Sequence, residues 1–223
     1  MKNNLKYILI FVAISGISAA IIFYNNWGGN PESKLEKTKI NNTDNNDFSD
    51  FDNMLSTSWV NDKEDSSTAE ISFLIESSPK YTKGYFENFD ILFKISDNDP
   101  TNSKLKVSID VSSINTDNSM RDKNLMDEDY FNKLNYPSIS FQSKEIIKND
   151  SNYTASGIID MMGKKSELSF NFEFQGLEIN KQNKEVAIFE GDFTIDRVKL
   201  GMNHIKSIGD QVNVDFYCEL VRK

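Results

Sequence analysis

The stretch Val212-Asn213-Val214-Asp215-Phe216-Tyr217-Cys218-Glu219-Leu220 places an apolar side chain at every second position. Successive side chains of a strand point to opposite faces, so Val212, Val214, Phe216, Cys218 and Leu220 share one face. Such alternation marks a strand with one buried and one wet face, the usual state of an antiparallel sheet. The same period recurs upstream in Ile71/Phe73/Ile75, Ile91/Phe93/Ile95, Leu105/Val107/Ile109/Val111, Ile139/Phe141 and Phe170/Phe172/Phe174. Further strands are expected near 153–160 and 185–196. Together these make about eight strands, separated by turn signals such as Asp97-Asn98-Asp99-Pro100.

From Trp59 onward the only alanines are Ala69, Ala155 and Ala187, which disfavours helices. One segment departs from the alternation. Asp122 to Leu134 spaces Leu125, Met126, Tyr130, Phe131 and Leu134 near a helical period and predicts one short helix or ordered loop. About eight amphipathic strands over this length suit an up-and-down barrel or a sandwich. A barrel of that size is either filled by its own side chains or holds one small ligand.

The chain of 223 residues carries a net charge of −9, which argues against a binder of nucleic-acid backbone. One Cys excludes an intrachain disulfide, and one His excludes a two-histidine zinc site. Tyr7 to Tyr24 is an uncharged apolar run preceded by Lys2 and Lys6. It is long enough to cross a bilayer and longer than a signal-peptide core. Residues 1–24 are therefore expected to form a membrane anchor (the alternative being a signal), with the N-terminus cytoplasmic and everything after Trp27 outside. The Asn/Asp-rich stretch 25–58 reads as a disordered linker, and 59–223 as the folded domain. The negative domain speaks against electrostatic docking on anionic lipid and leaves membrane attachment to the N-terminal helix.

Several pieces, in order, resemble one known family. They are Gly84-Tyr85-Phe86 with Phe89, then Ser113-Ile114-Asn115-Thr116, Arg121-Asp122 with Leu125, and Asp129-Tyr130-Phe131. Tyr136-Pro137-Ser138-Ile139-Ser140-Phe141-Gln142-Ser143 follows, then Gly157 with Gly163, Thr194-Ile195-Asp196-Arg197 with Gly201-Met202, and Ile208-Gly209-Asp210-Gln211-Val212. The set is similar to the YceI family signature. The resemblance implies a lipocalin-like antiparallel β-barrel in the periplasm or other extracytoplasmic space of a bacterial envelope, which binds a long apolar amphiphile, a polyisoprenoid lipid in particular, without cofactor or catalysis. Thr68 and Ala69 stand where the family often carries Ser or His, Ser77 where it often carries His, and Leu200 replaces an aromatic.

On this reading the tail contacts are Phe73, Ile75, Phe86, Phe89, Ile109, Leu125, Phe131, Phe141, Met161, Phe172, Ile195 and Leu200, drawn from a domain rich in Phe. Arg121, with a forked donor set, stands near the head group or anchors its own loop through Asp122. A homodimer is left open. His204 sits in a loop without a nucleophile motif near it, Cys218 reads as a buried inert thiol, and Asp127-Glu128-Asp129 lacks the spacing of a calcium loop. The competing expectation is a filled barrel whose outer face docks a partner.

Overall fold

The computed structural model describes residues 31–40, 54–96, 100–149 and 152–223. Among them are eleven strands and one α-helix, α1, Ser119–Leu125. The strands are β1 (Ser58–Asn61), β2 (Ala69–Ser77), β3 (Lys80–Phe86), β4 (Phe89–Lys94), β5 (Lys104–Asp110), β6 (Ile114–Asn115), β7 (Ser138–Asn149), β8 (Asn152–Met161), β9 (Lys164–Ile179), β10 (Glu185–Asp196) and β11 (Ile208–Arg222).

All pairings are antiparallel, and they close on themselves. β11 pairs with β2 up to Cys218↔Ala69 and then with β1 from Leu220↔Asn61, so β1 and β2 lie end to end along one neighbour. β3 and β4 are likewise two halves of one stave, against β2 and β1 respectively. β5 and β6 form a third broken stave against β4 and β3. Five unbroken strands, β7 to β11, complete an eight-stave barrel that meanders up and down and is sealed by the β1–β11 pairing.

The expected alternation is what builds it. β8 alternates strictly between half-buried and buried positions, and β7 alternates between exposed and buried ones over its first half. Rings need space, and glycine supplies it at two places. A Cβ on Gly84 would lie 2.5 Å from Phe73 Cζ, and one on Gly191 would lie 2.9 Å from Phe216 Cζ. Both glycines therefore let a ring of the neighbouring stave lie flat along the wall.

Two expectations are corrected. The fold is an all-β barrel with one short helix, but the transmembrane helix is not part of what is seen. Residues 7–24 lie outside the described residues, and among the described residues no helix is long and apolar enough to cross a membrane. The linker is also not uniform. Residues 31–40 lie on the outer wall, where Tyr85 donates to the Pro31 carbonyl and Glu36 N–H donates to Ser67 O at 2.9 Å. The cause is an outward apolar patch. Val186, Ile188 and Tyr217 face away from the lumen and are buried with Leu35 packed on them. Glu219, 1% exposed, anchors the same segment. It accepts from Thr38 N at 2.7 Å, Thr38 Oγ1 at 3.0 Å and Tyr217 Oη at 2.8 Å.

Candidate functional site: an apolar cavity at one end of the barrel

The two ends of the barrel differ. At the end formed by the β4–β5, β7–β8 and β9–β10 connections, aromatic rings fill the lumen. Phe93 and Phe189 lie 5.4 Å apart, Tyr153 stacks on Phe172 at 5.4 Å, and Phe174 lies 5.2 Å from Phe189. Trp59 and Met54 are fully buried beneath them. This end is sealed.

The opposite end is open. It is framed by the β2–β3 turn, the β8–β9 turn, the β10–β11 loop and the insertion 116–137 that carries α1. These parts touch one another. Ser78 N–H donates to Ser207 O at 2.9 Å, and the Tyr136 ring packs against Gly163. After Asp110 the wall splits, because β6 turns to β3 while β7 starts only at Ser138, paired with Asp110. The insertion spans that split. α1 is capped by Asn118, whose side chain accepts from Arg121 N–H at 3.0 Å, satisfying one free donor of the first turn.

Within this frame lies a cavity of about 360 Å³. Its wall is Phe73 and Ile75 from β2, Phe86 from β3, Ile139 from β7, Met161 from β8, Ile195 from β10, and Val212 and Val214 from β11. Leu125, Tyr130 and Phe131 of the insertion lie over it. Phe131 meets Phe86 edge-on at 6.0 Å, and Phe86 meets Phe73 at 5.8 Å. A second space of about 130 Å³ lies deeper, between Ile91, Ile109, Phe141, Phe170, Phe193 and Phe216. The two share Phe73, Phe86, Ile139, Met161, Ile195 and Val214 as wall. Inward residues of β2 such as Ile71, Phe73 and Ile75 are only half-buried, because they border space rather than packed atoms.

Of the residues named from sequence, Phe73, Ile75, Phe86, Arg121, Leu125, Phe131, Met161 and Ile195 line the outer cavity. Ile109 and Phe141 line the inner space. Phe89, Phe172 and Leu200 lie in the packed core and on neither wall. Phe172 belongs to the sealed end because β9 is long enough to run past the cavity floor. Val212 and Val214 were legible in the alternation of the last strand but were not placed in the site. Tyr130 shared the helical spacing of the insertion but was not placed in the site, and Met202 comes from an irregular loop and carries no periodic signal.

The polar groups at the mouth are largely engaged. Arg197, 3% exposed, donates Nε to Gly209 O at 2.8 Å, Nη1 to Asn203 O at 2.7 Å and Nη2 to Ile208 O at 3.2 Å. It therefore holds the β10–β11 loop. Arg121 donates Nε to Thr116 Oγ1 at 2.8 Å and Nη2 to Thr116 O at 2.6 Å, while Asp122 accepts from Thr116 N at 3.0 Å. Arg121 and Asp122 thus clamp the start of the insertion through Thr116, and the Arg121 guanidinium still borders the cavity. His204 Nδ1 lies 2.9 Å from Asp210 Oδ1 at the exposed rim. Burial pushes the Cys218 thiol up to about 12, with the Glu219 charge adding to it. That keeps it a neutral, unreactive thiol at physiological pH.

A closed antiparallel barrel of eight staves, sealed at one end and hollow and apolar at the other, defines a lipocalin-like class of barrel. The model of the YceI-like domain matches residues 59–220, and the chain belongs to that family. A UPF0312 protein of Photorhabdus laumondii is 33% identical over 93 residues, which cover 42% of this chain and 48% of that protein. One from Staphylococcus epidermidis is 34% identical over 122 residues, covering 54% of this chain and 69% of the relative. The chain thus spans about half the length of the first of these curated relatives. Among solved structures, Burkholderia cenocepacia BcnA aligns with a TM-score of 0.60 at 20% identity, covering 71% of this chain and 99% of that one. A polyisoprenoid binding domain from Saccharophagus degradans aligns with a TM-score of 0.57 at 13% identity, covering 75% and 99%. At these identities the likeness is one of fold.

Proposed function

We propose that the protein is a carrier or sequestering protein that takes the apolar chain of a long amphiphile, of polyisoprenoid type, into the open end of its barrel, and that it acts by binding rather than by catalysis. The observation that carries this reading is the outer cavity, whose volume falls in the usual range for small-molecule sites and whose wall is mainly aliphatic and aromatic, with Arg121, Arg197 and a few small polar residues among it. A chain entering there meets the inner space across a shared wall and stops at the ring-filled end. Each buried methylene contributes about 0.8 kcal/mol, so chain length is the main source of affinity. The polyisoprenoid binding domain of Saccharophagus degradans, which shares the fold, supports the choice of ligand class. The test is uptake of an isoprenoid probe of defined length by the full chain. Saturable uptake that strengthens with chain length supports the reading; no uptake at any length refutes it and favours a barrel that works through its outer face.

A further inference from the structure

The most exposed of the large apolar side chains stand at the open end. Leu134 is 97% exposed and Met120 is 75% exposed, the two highest values among the exposed large apolar side chains of the described residues. Both belong to the insertion over the cavity, and Met120 also lines it. Tyr136, on the same insertion, is also exposed.

The charge at this end is arranged separately. Lys80 follows the β2–β3 turn, Lys164 and Lys165 follow the β8–β9 turn, and Lys206 lies in the β10–β11 loop. All four are exposed, and among the described residues none is in an ion pair. At the sealed end both lysines of the β9–β10 turn are paired, Lys181 with Glu36 and Lys184 with Asp62, each at 2.5 Å. Lys80, Lys164, Lys165 and Lys206 are thus left free in a chain of net charge −9, whereas Lys199 of the same β10–β11 loop pairs with Asp196 at 3.6 Å. Asp127, Glu128 and Asp129 of the insertion carry the opposite sign. The exposed lysines of the three turns and the acidic run of the insertion are thus carried by different parts of the rim.

We propose that the open end docks on the surface of an anionic lipid bilayer, with Met120 and Leu134 entering the headgroup layer and Lys80, Lys164, Lys165 and Lys206 facing its phosphates. This rests on the carrier reading, since an apolar cargo has to leave and re-enter a membrane through the same opening. The negative balance of the rest of the domain does not oppose it, because charges farther than a Debye length of about 8 Å from the surface are screened; Asp127, Glu128 and Asp129, on the insertion itself, are the acidic groups that the four lysines have to outweigh. Each lysine near such a surface strengthens binding about fivefold.

The experiment uses the full chain carrying Leu134→Cys labelled with an environment-sensitive fluorophore; the buried Cys218 is spared. Vesicles of equal parts phosphatidylcholine and phosphatidylglycerol should shift the label's emission to the blue, and vesicles of phosphatidylcholine alone should not. The same label at Ile179→Cys, at the sealed end, should stay unchanged. Each Lys→Gln change at the four positions should weaken the response about fivefold, and the set should leave uptake of a soluble isoprenoid probe intact. A response equal on both vesicles, equal at position 179, or insensitive to the lysines overturns docking. Uptake without any response at 134 overturns docking alone, whereas absence of uptake in the unmodified chain overturns the carrier reading on which it rests.

Discussion

Replacing Ile195 by Trp should shorten the chain the barrel can hold. Ile195 is one of the six residues shared by the outer cavity and the inner space. A larger ring there fills space at the wall common to both and should cut off the inner volume of about 130 Å³. With roughly 30 Å³ for a small liquid-packed unit, that is room for about four methylenes. At about 0.8 kcal/mol each, the loss is about 3 kcal/mol, or about two orders of magnitude in Kd. The assay is competition for a fluorescent lipid probe by isoprenoids of increasing length. The variant should lose affinity for the long members and keep it for short ones that end in the outer cavity. Thermal unfolding is run alongside, because overpacking can itself cost about 1–3 kcal/mol. Equal loss for all lengths, in a variant that remains folded, would refute a continuous chain path.

Other outcomes follow from the same contacts. Thr38→Val removes one of the three donors to buried Glu219 and should lower stability by about 1–3 kcal/mol in urea titration; an unchanged midpoint would mean that residues 31–40 contribute nothing to the barrel. Arg197→Lys should fail nearly as badly as Arg197→Met, each costing about 3 kcal/mol, because one ammonium cannot reach three carbonyls; full stability in the Lys variant would contradict that role. Asp215 is raised above the ordinary 3.8 by burial first and by Asp192 second, and Asp192 is its direct partner across the strands. The folded carboxyl therefore holds its proton more tightly than the unfolded one, and this group's contribution weakens as pH rises from 3.8 through the folded value. Asp215→Asn should accordingly stabilise at neutral pH, by about 0.2–1 kcal/mol, with the gain shrinking in acid; a gain independent of pH would remove the electrostatic explanation.

The staves of the barrel were legible because their inward and outward residues alternate without exception in Val212 to Leu220 and in Phe170 to Phe174. Alternation shows which side chains face inward, but not how far along the lumen each one sits. Phe172 and Phe174 have the same signal as Phe170, yet they pack in the sealed end, because position along the axis is set by register and strand length. The breaks at 61–69, 86–89 and 110–114 fall where three staves divide, and they left one reading of about eight strands serving for eleven segments. Residues 31–40 were hidden by composition, since a polar segment gains its place from what it covers. The signal for it stood elsewhere, in Val186-Ala187-Ile188-Phe189, an apolar run on both faces of a strand, which requires cover on both sides. The charge reading missed the mouth because a net sum conceals lysines collected in three turns.

The central claim is that the outer cavity holds a lipid chain. Native mass spectrometry of the full chain, purified from lipid-containing cells and followed by solvent extraction, tests it most directly. The account predicts a discrete adduct of long-chain lipid mass that is released on unfolding and is shorter or absent in Ile195→Trp. A protein that carries no such adduct and takes up no isoprenoid probe would contradict it.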